Sequence, residues 1–215
     1  MKINNISIEI EKKITNIHGL TYIPQITNFG ENANNEEGLP STYGYTVEVS
    51  RNNFLLMEEL TKKYAKKSIV EIGVNRNGQN SFTWAMLNNK PKDVIYLGID
   101  IEDKSNINDT KSNIYTIQAN SYNQEQIRNY MKEIKLNEIS ILFIDGGHSV
   151  SDVINDWKYS DILSENGIVV FHDTNYHPGP VVFLEAIDKK IYKVDKFFTN
   201  EPGDCGMSVA YKLEK

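Results

Sequence analysis

The residues best equipped for chemistry stand in two short runs, Phe143-Ile-Asp-Gly-Gly-His148 and Val170-Phe-His-Asp173. Each run opens as an apolar strand and ends on polar groups, so two buried strands each release an aspartate, Asp145 and Asp173, at one edge of a sheet. Like charges brought that close repel unless a cation or hydrogen bonds intervene. A metal accounts for both, and a hard divalent ion such as magnesium favours carboxylate oxygens while keeping waters that substrate oxygens can replace. His148 sits on the turn after Asp145, where a neutral imidazole can accept a proton near pH 7. The competing reading is a capping histidine beside structural carboxylates.

Other strand ends are also polar. Glu71-Ile-Gly-Val-Asn-Arg-Asn-Gly78 follows an apolar run, and its glycines let backbone approach a ligand before a helix begins. It is not the Gly-x-Gly-x-x-Gly turn of dinucleotide enzymes, and a plain strand-to-helix connection would look similar. Gly98-Ile-Asp100 places a carboxylate where a ribose diol lies in a mononucleotide site, or where a helix needs a cap. Gln118-Ala-Asn-Ser121 offers amides and a hydroxyl to an adenine edge, or forms a turn.

These residues need a scaffold that brings strand ends together. Apolar runs at 68–72, 94–99, 113–117, 139–144 and 167–171 predict buried parallel strands, with helical patterns at 81–88, 123–134 and 151–163 between them. Such alternation implies right-handed βαβ units and a doubly wound α/β sheet. A helix is expected over 180–189, then strands over 193–198 and 207–213 whose short linker makes them an antiparallel hairpin. Upstream, Ser50 caps a helix that ends near Lys67, with Phe54, Leu55, Met57, Leu60 and Tyr64 at helical spacing. Residues 1–49 read as an irregular arm or lid of the same domain, because 28–40 is dense in turn formers, and 50–215 as the domain proper. Tyr43 and Tyr45 could line an acceptor pocket. His177 follows the second run and could gate it. Phe82, Trp84 and Trp157 read as core, and His18 as surface.

Length and composition set outer bounds. A chain of 215 residues suits one α/β domain with a full core. Its apolar runs fall far below the roughly 20 residues that span a bilayer, and its start lacks the apolar core of a signal peptide. One cysteine, Cys205, forms no internal disulfide and reads as an idle thiol in a reducing cytoplasm. A net charge of −6 argues against general nucleic-acid binding. The oligomeric state stays open, a homo-oligomer included.

Taken in order, Glu71-Ile-Gly, Gly98-Ile-Asp100, Phe143-Ile-Asp-Gly-Gly-His148 and Phe171-His-Asp173 resemble a class I, S-adenosylmethionine-dependent methyltransferase. The group resembled includes macrocin O-methyltransferase, macrolide-sugar methyltransferases and cephalosporin hydroxylase-like proteins, and the likeness covers about 68–213. It implies a Rossmann-like, mostly parallel seven-stranded sheet with a C-terminal antiparallel hairpin. It also implies that Glu71 and Gly73 line the methionine end of the cofactor, that Asp100 holds the ribose hydroxyls, and that Asn120 or Ser121 lies near the adenine. Magnesium would be held by Asp145 and Asp173, with His148 as base beside Asp145. Related enzymes often carry an acidic residue where this chain has His172, which leaves His172 as a metal ligand, a group behind the ligands or a substrate contact. Residues 75–78 also differ from the smaller residues usual there.

The expected activity is metal-dependent methylation of a hydroxyl on a small-molecule acceptor, a sugar or a sugar-bearing compound. Its rivals are a non-catalytic cofactor-binding subunit and a nicotinamide-dependent oxidoreductase. The trio Asp145, His148 and Asp173 disfavours the first, and the missing Gly-x-Gly-x-x-Gly disfavours the second.

Overall fold

The computed structural model describes residues 2–3, 6–28, 51–74, 81–175, 177–199 and 204–213. Residues 29–49 of the expected arm or lid, Tyr43 and Tyr45 among them, lie outside them, as do Ser50 and 75–78.

The chain begins with β1 (Lys2–Ile3) and β2 (Ile6–Ser7), which pair with each other, and β3 (Glu9–Lys13) and β4 (Ile23–Asn28), a second antiparallel pair. The arm is therefore not irregular throughout. Leu20 bridges to Ile187, and the indole of Trp157 donates to the His18 carbonyl at 2.8 Å, fixing this segment to the main body.

Helix α1 (Arg51–Tyr64) follows and buries Asn53, Met57, Leu60 and Thr61, one face at helical spacing. It stops three residues short of Lys67, with Lys62 and Lys63 in its last turn, where cations suit the dipole. Then come β5 (Ser68–Ile72), α2 (Phe82–Asn89), β6 (Ile95–Asp100), β7 (Ile114–Gln118), α3 (Gln124–Glu133), β8 (Ile139–Ile144), α4 (Val150–Trp157), β9 (Leu163–His172), α5 (Pro178–Ala186), β10 (Tyr192–Phe197) and β11 (Met207–Lys212). The predicted helix over 151–163 divides at Trp157, where α4 passes into a 3₁₀ segment, Lys158–Ile162. Ser149 and Asp152 form a capping box that starts α4 sharply after the turn carrying His148. Pro178 begins α5, where its missing N–H costs nothing.

Seven strands form one sheet in the order β10-β11-β9-β8-β5-β6-β7. The strands β7, β6, β5, β8 and β9 run parallel, and β11 lies antiparallel between β9 and β10. Every residue of β5 and β8 is buried, because helices cover both faces. Alternate residues feed two cores. Ile69, Ile141 and Phe143 pack with Met57 and Phe82 on one face, while Val70, Leu142 and Ile144 pack with Ile127, Val153 and Trp157 on the other. The strand order reverses at β5 and β8, which is where a ligand crevice opens in such sheets.

Candidate active site

At that reversal lies a cavity of about 460 Å³, a size that takes a small ligand. Each of its walls comes from the residues just beyond a strand. Gly73 follows β5, Asp100 ends β6, Asn120 and Ser121 follow β7, and Gly146 and Gly147 follow β8. Gly73 has φ +87, and a Cβ there would stand 2.2 Å from the Asp145 carbonyl oxygen, so only glycine lets the two strand ends meet. The Asp100 carboxylate accepts from the backbone N–H of Val74 at 2.9 Å and of Glu102 at 2.8 Å, and Lys104 Nζ is 3.5 Å away. One carboxylate thus ties the turn after β5 to the turn after β6.

Glu71 does not line this cavity. It is fully buried under α2, where the Thr83 hydroxyl donates to it at 2.8 Å and the Tyr96 hydroxyl donates to its other oxygen. Burial pushes its carboxyl up to about 8, against the lowering pull of those two hydroxyls. In this position it supports the strand that carries Gly73.

Beside the cavity the two chemical runs converge. His172 Nδ1 is 3.0 Å from Asp145 Oδ1 and 3.3 Å from Asp173 Oδ2, and His148 Nε2 is 2.6 Å from Asp173 Oδ2. The His148 ring stacks on His177, with centroids 3.8 Å apart. Asp173, just after β9, has φ +58, a left-handed conformation that aspartate and asparagine adopt more readily than most residues. Among the described residues, two sets of three donors lie within 4.8 Å of one another: His148, Asp173 and His177, and His172, Asp173 and Cys205. Asp145 belongs to neither set and reaches the cluster through His172. Carboxylates, imidazoles and a thiol gathered at one sheet edge are a donor set that fits a divalent cation.

A family model described as a methyltransferase domain matches residues 70–174, which hold both the cavity and most of this cluster. Over these residues the chain is similar to a methyltransferase domain. The strand order and the antiparallel C-terminal pair are those of that fold. The methyltransferase MycE of the mycinamycin biosynthetic pathway, solved with magnesium, S-adenosylhomocysteine and mycinamycin VI, superposes at TM-score 0.53 and 14% identity over 74% of this chain and 48% of its own. A Clostridium thermocellum protein assigned as an rRNA methylase superposes at TM-score 0.57 and 16% identity, over 79% of this chain and 99% of its own. An uncharacterised protein of Acanthamoeba polyphaga mimivirus is 32% identical over 155 residues, 64% of this chain and 66% of that protein. The chain spans about half the length of MycE. No helix of the described residues is long and apolar enough to cross a membrane.

Charge in the cluster is balanced by protons. Burial works to lower both histidines, yet Asp145 and Asp173 hold His172 well above the usual imidazole range, and Asp173 raises His148. Burial works to raise both aspartates. For Asp145 it prevails, while His172 and His148 hold Asp173 well below the carboxylate range. Burial, then Asp173, pushes the Cys205 thiol up to about 12, and that thiol donates a hydrogen bond to Asp173.

Sequence reasoning brought Asp145, His148, His172 and Asp173 together, and Asp100, Asn120 and Ser121 to one wall. It took Cys205 as idle, because nothing local marks it, and named His177 as a gate with no link to the His148 ring. Phe82 and Trp157 are fully buried as expected, and the Phe82 ring packs edge-on against His172 at 4.8 Å. Trp84, expected in the core, is 37% exposed because it points away from the α2 face that meets the sheet.

Proposed function

We propose that this chain transfers the methyl group of S-adenosylmethionine to a hydroxyl of a small-molecule acceptor, a sugar or sugar-bearing compound, with the help of a divalent cation. One observation carries the reading. The single turn over 145–148 serves both halves of the reaction, since Gly146 and Gly147 line the cavity while Asp145 and His148 join the cluster. A donor in the cavity and an acceptor at the cluster are therefore neighbours, as in-line transfer from a sulfonium requires.

Asp100 would hold the ribose hydroxyls, Gly73 would allow close approach of the methionine end, and Asn120 or Ser121 would meet the adenine. Asp145, His172 and Asp173 would hold the cation, magnesium on the sequence expectation. When bound, the cation supplies Lewis acidity that lowers the pKa of the acceptor hydroxyl. His148 would take the proton at Nδ1, the ring nitrogen that does not face Asp173, and Asp173, 2.6 Å from Nε2, would steady the resulting imidazolium. MycE was solved with magnesium, S-adenosylhomocysteine and mycinamycin VI, which supports a methyl donor of this class and a small-molecule acceptor for the present chain. A net charge of −6 disfavours RNA as the acceptor.

The test is transfer of labelled methyl from S-adenosylmethionine to a panel of sugars and glycosides, with and without chelator. Transfer that chelator abolishes supports the proposal. Full transfer in chelator removes the cation, and the absence of S-adenosylhomocysteine binding by calorimetry overturns the whole reading.

A further inference from the structure

We propose that Cys205 is a thiolate ligand, acting with His172 and Asp173, and that the site takes a borderline cation of the zinc and cobalt class in preference to a hard ion such as magnesium. The inference rests on the reading that the cluster holds a cation, and it names which one.

The three donor atoms come from two strands. His172 and Asp173 end β9, and Cys205 precedes β11, which pairs with β9 from the opposite direction. All three lie within 4.8 Å of one another. A tetrahedral site with metal bonds of about 2.0 to 2.3 Å has donors roughly 3.3 to 3.8 Å apart, so closure by about 1 to 1.5 Å at most would bring these three onto one ion. Imidazole nitrogen, carboxylate oxygen and thiolate sulfur together suit zinc, cobalt or iron, whereas magnesium seeks oxygen alone.

The turn that presents Cys205 is built to hold it there. The backbone N–H of Asn175 donates to the Cys205 carbonyl at 2.8 Å, joining the turn to the residues just after Asp173. The Asn175 side chain donates to the carbonyls of Phe198 and Asp204, both at 2.9 Å. Asp204, itself buried, accepts from the Asn53 side chain at 2.9 Å and from the Gly206 N–H at 2.7 Å. Gly206 has φ +78, and a Cβ on it would meet Asn175 at 2.4 Å. Neighbours on both sides of Cys205 are thus pinned. Coordination forms one metal–sulfur bond and releases the thiol proton to solvent, with no change of oxidation state.

The test uses the full chain, stripped with chelator and dialysed, and titrated with cobalt(II). The sequence holds one cysteine, so any thiolate-to-cobalt charge-transfer band at one equivalent belongs to Cys205. The expected result is that band in the near ultraviolet, its displacement by zinc(II), and its persistence in a large excess of magnesium. Cys205→Ser should lose the band and bind zinc at least tenfold more weakly, with magnesium affinity unchanged. Cobalt bound without the band in the wild-type chain would overturn the thiolate and leave the cation reading intact. No binding of cobalt, zinc or magnesium would overturn both, and the wild-type spectrum decides the matter even where the serine variant folds poorly.

Discussion

Gly73 and Asp145 touch through their backbones, leaving no room for a side chain on the first: an added Cβ would lie 2.2 Å from the Asp145 carbonyl oxygen. The turn proposed to hold the cofactor and the turn proposed to hold the cation are therefore one packed unit. Gly73→Ala must relieve both that clash and a φ of +87, so it should destabilise the fold by more than about 1 kcal/mol. It should weaken S-adenosylhomocysteine and cation binding together. Calorimetric titrations of each ligand and a thermal melt check this, and loss of one affinity with the other untouched would break the coupling.

Asp100 accepts two backbone hydrogen bonds and borders the cavity, so its removal should be felt twice. Asp100→Ala should weaken S-adenosylhomocysteine at least about tenfold, since charge-assisted hydrogen bonds contribute about 1.5 to 3 kcal/mol. Asp100→Asn keeps an acceptor for one backbone N–H and should melt closer to wild type while still binding weakly. Unchanged calorimetric affinity in both variants would return Asp100 to a structural tie.

Glu71 ionises only near pH 8 in the folded chain, because burial outweighs its two hydroxyl partners. Its folded pKa is raised, so the folded state holds the proton more tightly than the unfolded chain does, and stability falls as pH rises from about 4.5 towards 8. Glu71→Gln removes that penalty. The melting temperature of the variant relative to wild type should therefore climb between pH 5 and pH 8.5 by at least about 5 °C. A pH-independent difference would mean that Glu71 is ionised throughout.

His148 and the cation should separate kinetically. His148→Ala should keep S-adenosylhomocysteine and cation affinity but lose about 10²-fold in rate, the scale of a missing general base. Because Asp173 raises this imidazole, the rising limb of the wild-type rate should centre above 6.5 when the cation is weakly bound, and should vanish in the variant. The assay is methyl transfer across pH, and a variant with the wild-type limb would exclude His148 as the base.

Much of this architecture is legible in the sequence for a physical reason. Strands β5 and β8 are buried on both faces and so read as unbroken apolar runs, and polar residues at their ends have nowhere to go but the crevice. The hairpin of β3 and β4 escapes because Glu9–Lys13 exposes nearly every side chain and has no apolar alternation to betray it. Cys205 escapes for another reason. It lies 32 residues beyond Asp173, and only the insertion of β11 beside β9 closes that distance. Trp84 misleads because helical spacing among apolar neighbours does not say which side of a short helix meets the sheet.

The position of β11 also sets an order of events during synthesis. All residues that wall the cavity, 72 to 152, leave the ribosome well before Met207. Until 207–212 is made, β9 has an open edge and β10 has no strand to pair with among those described. A nascent or clipped chain ending before β11 would thus carry the walls of a nucleotide-sized cavity next to an unguarded sheet edge that invites pairing with another chain. Strand β11 seals that edge, and in the same movement it fixes the turn of Cys205 against Asp173.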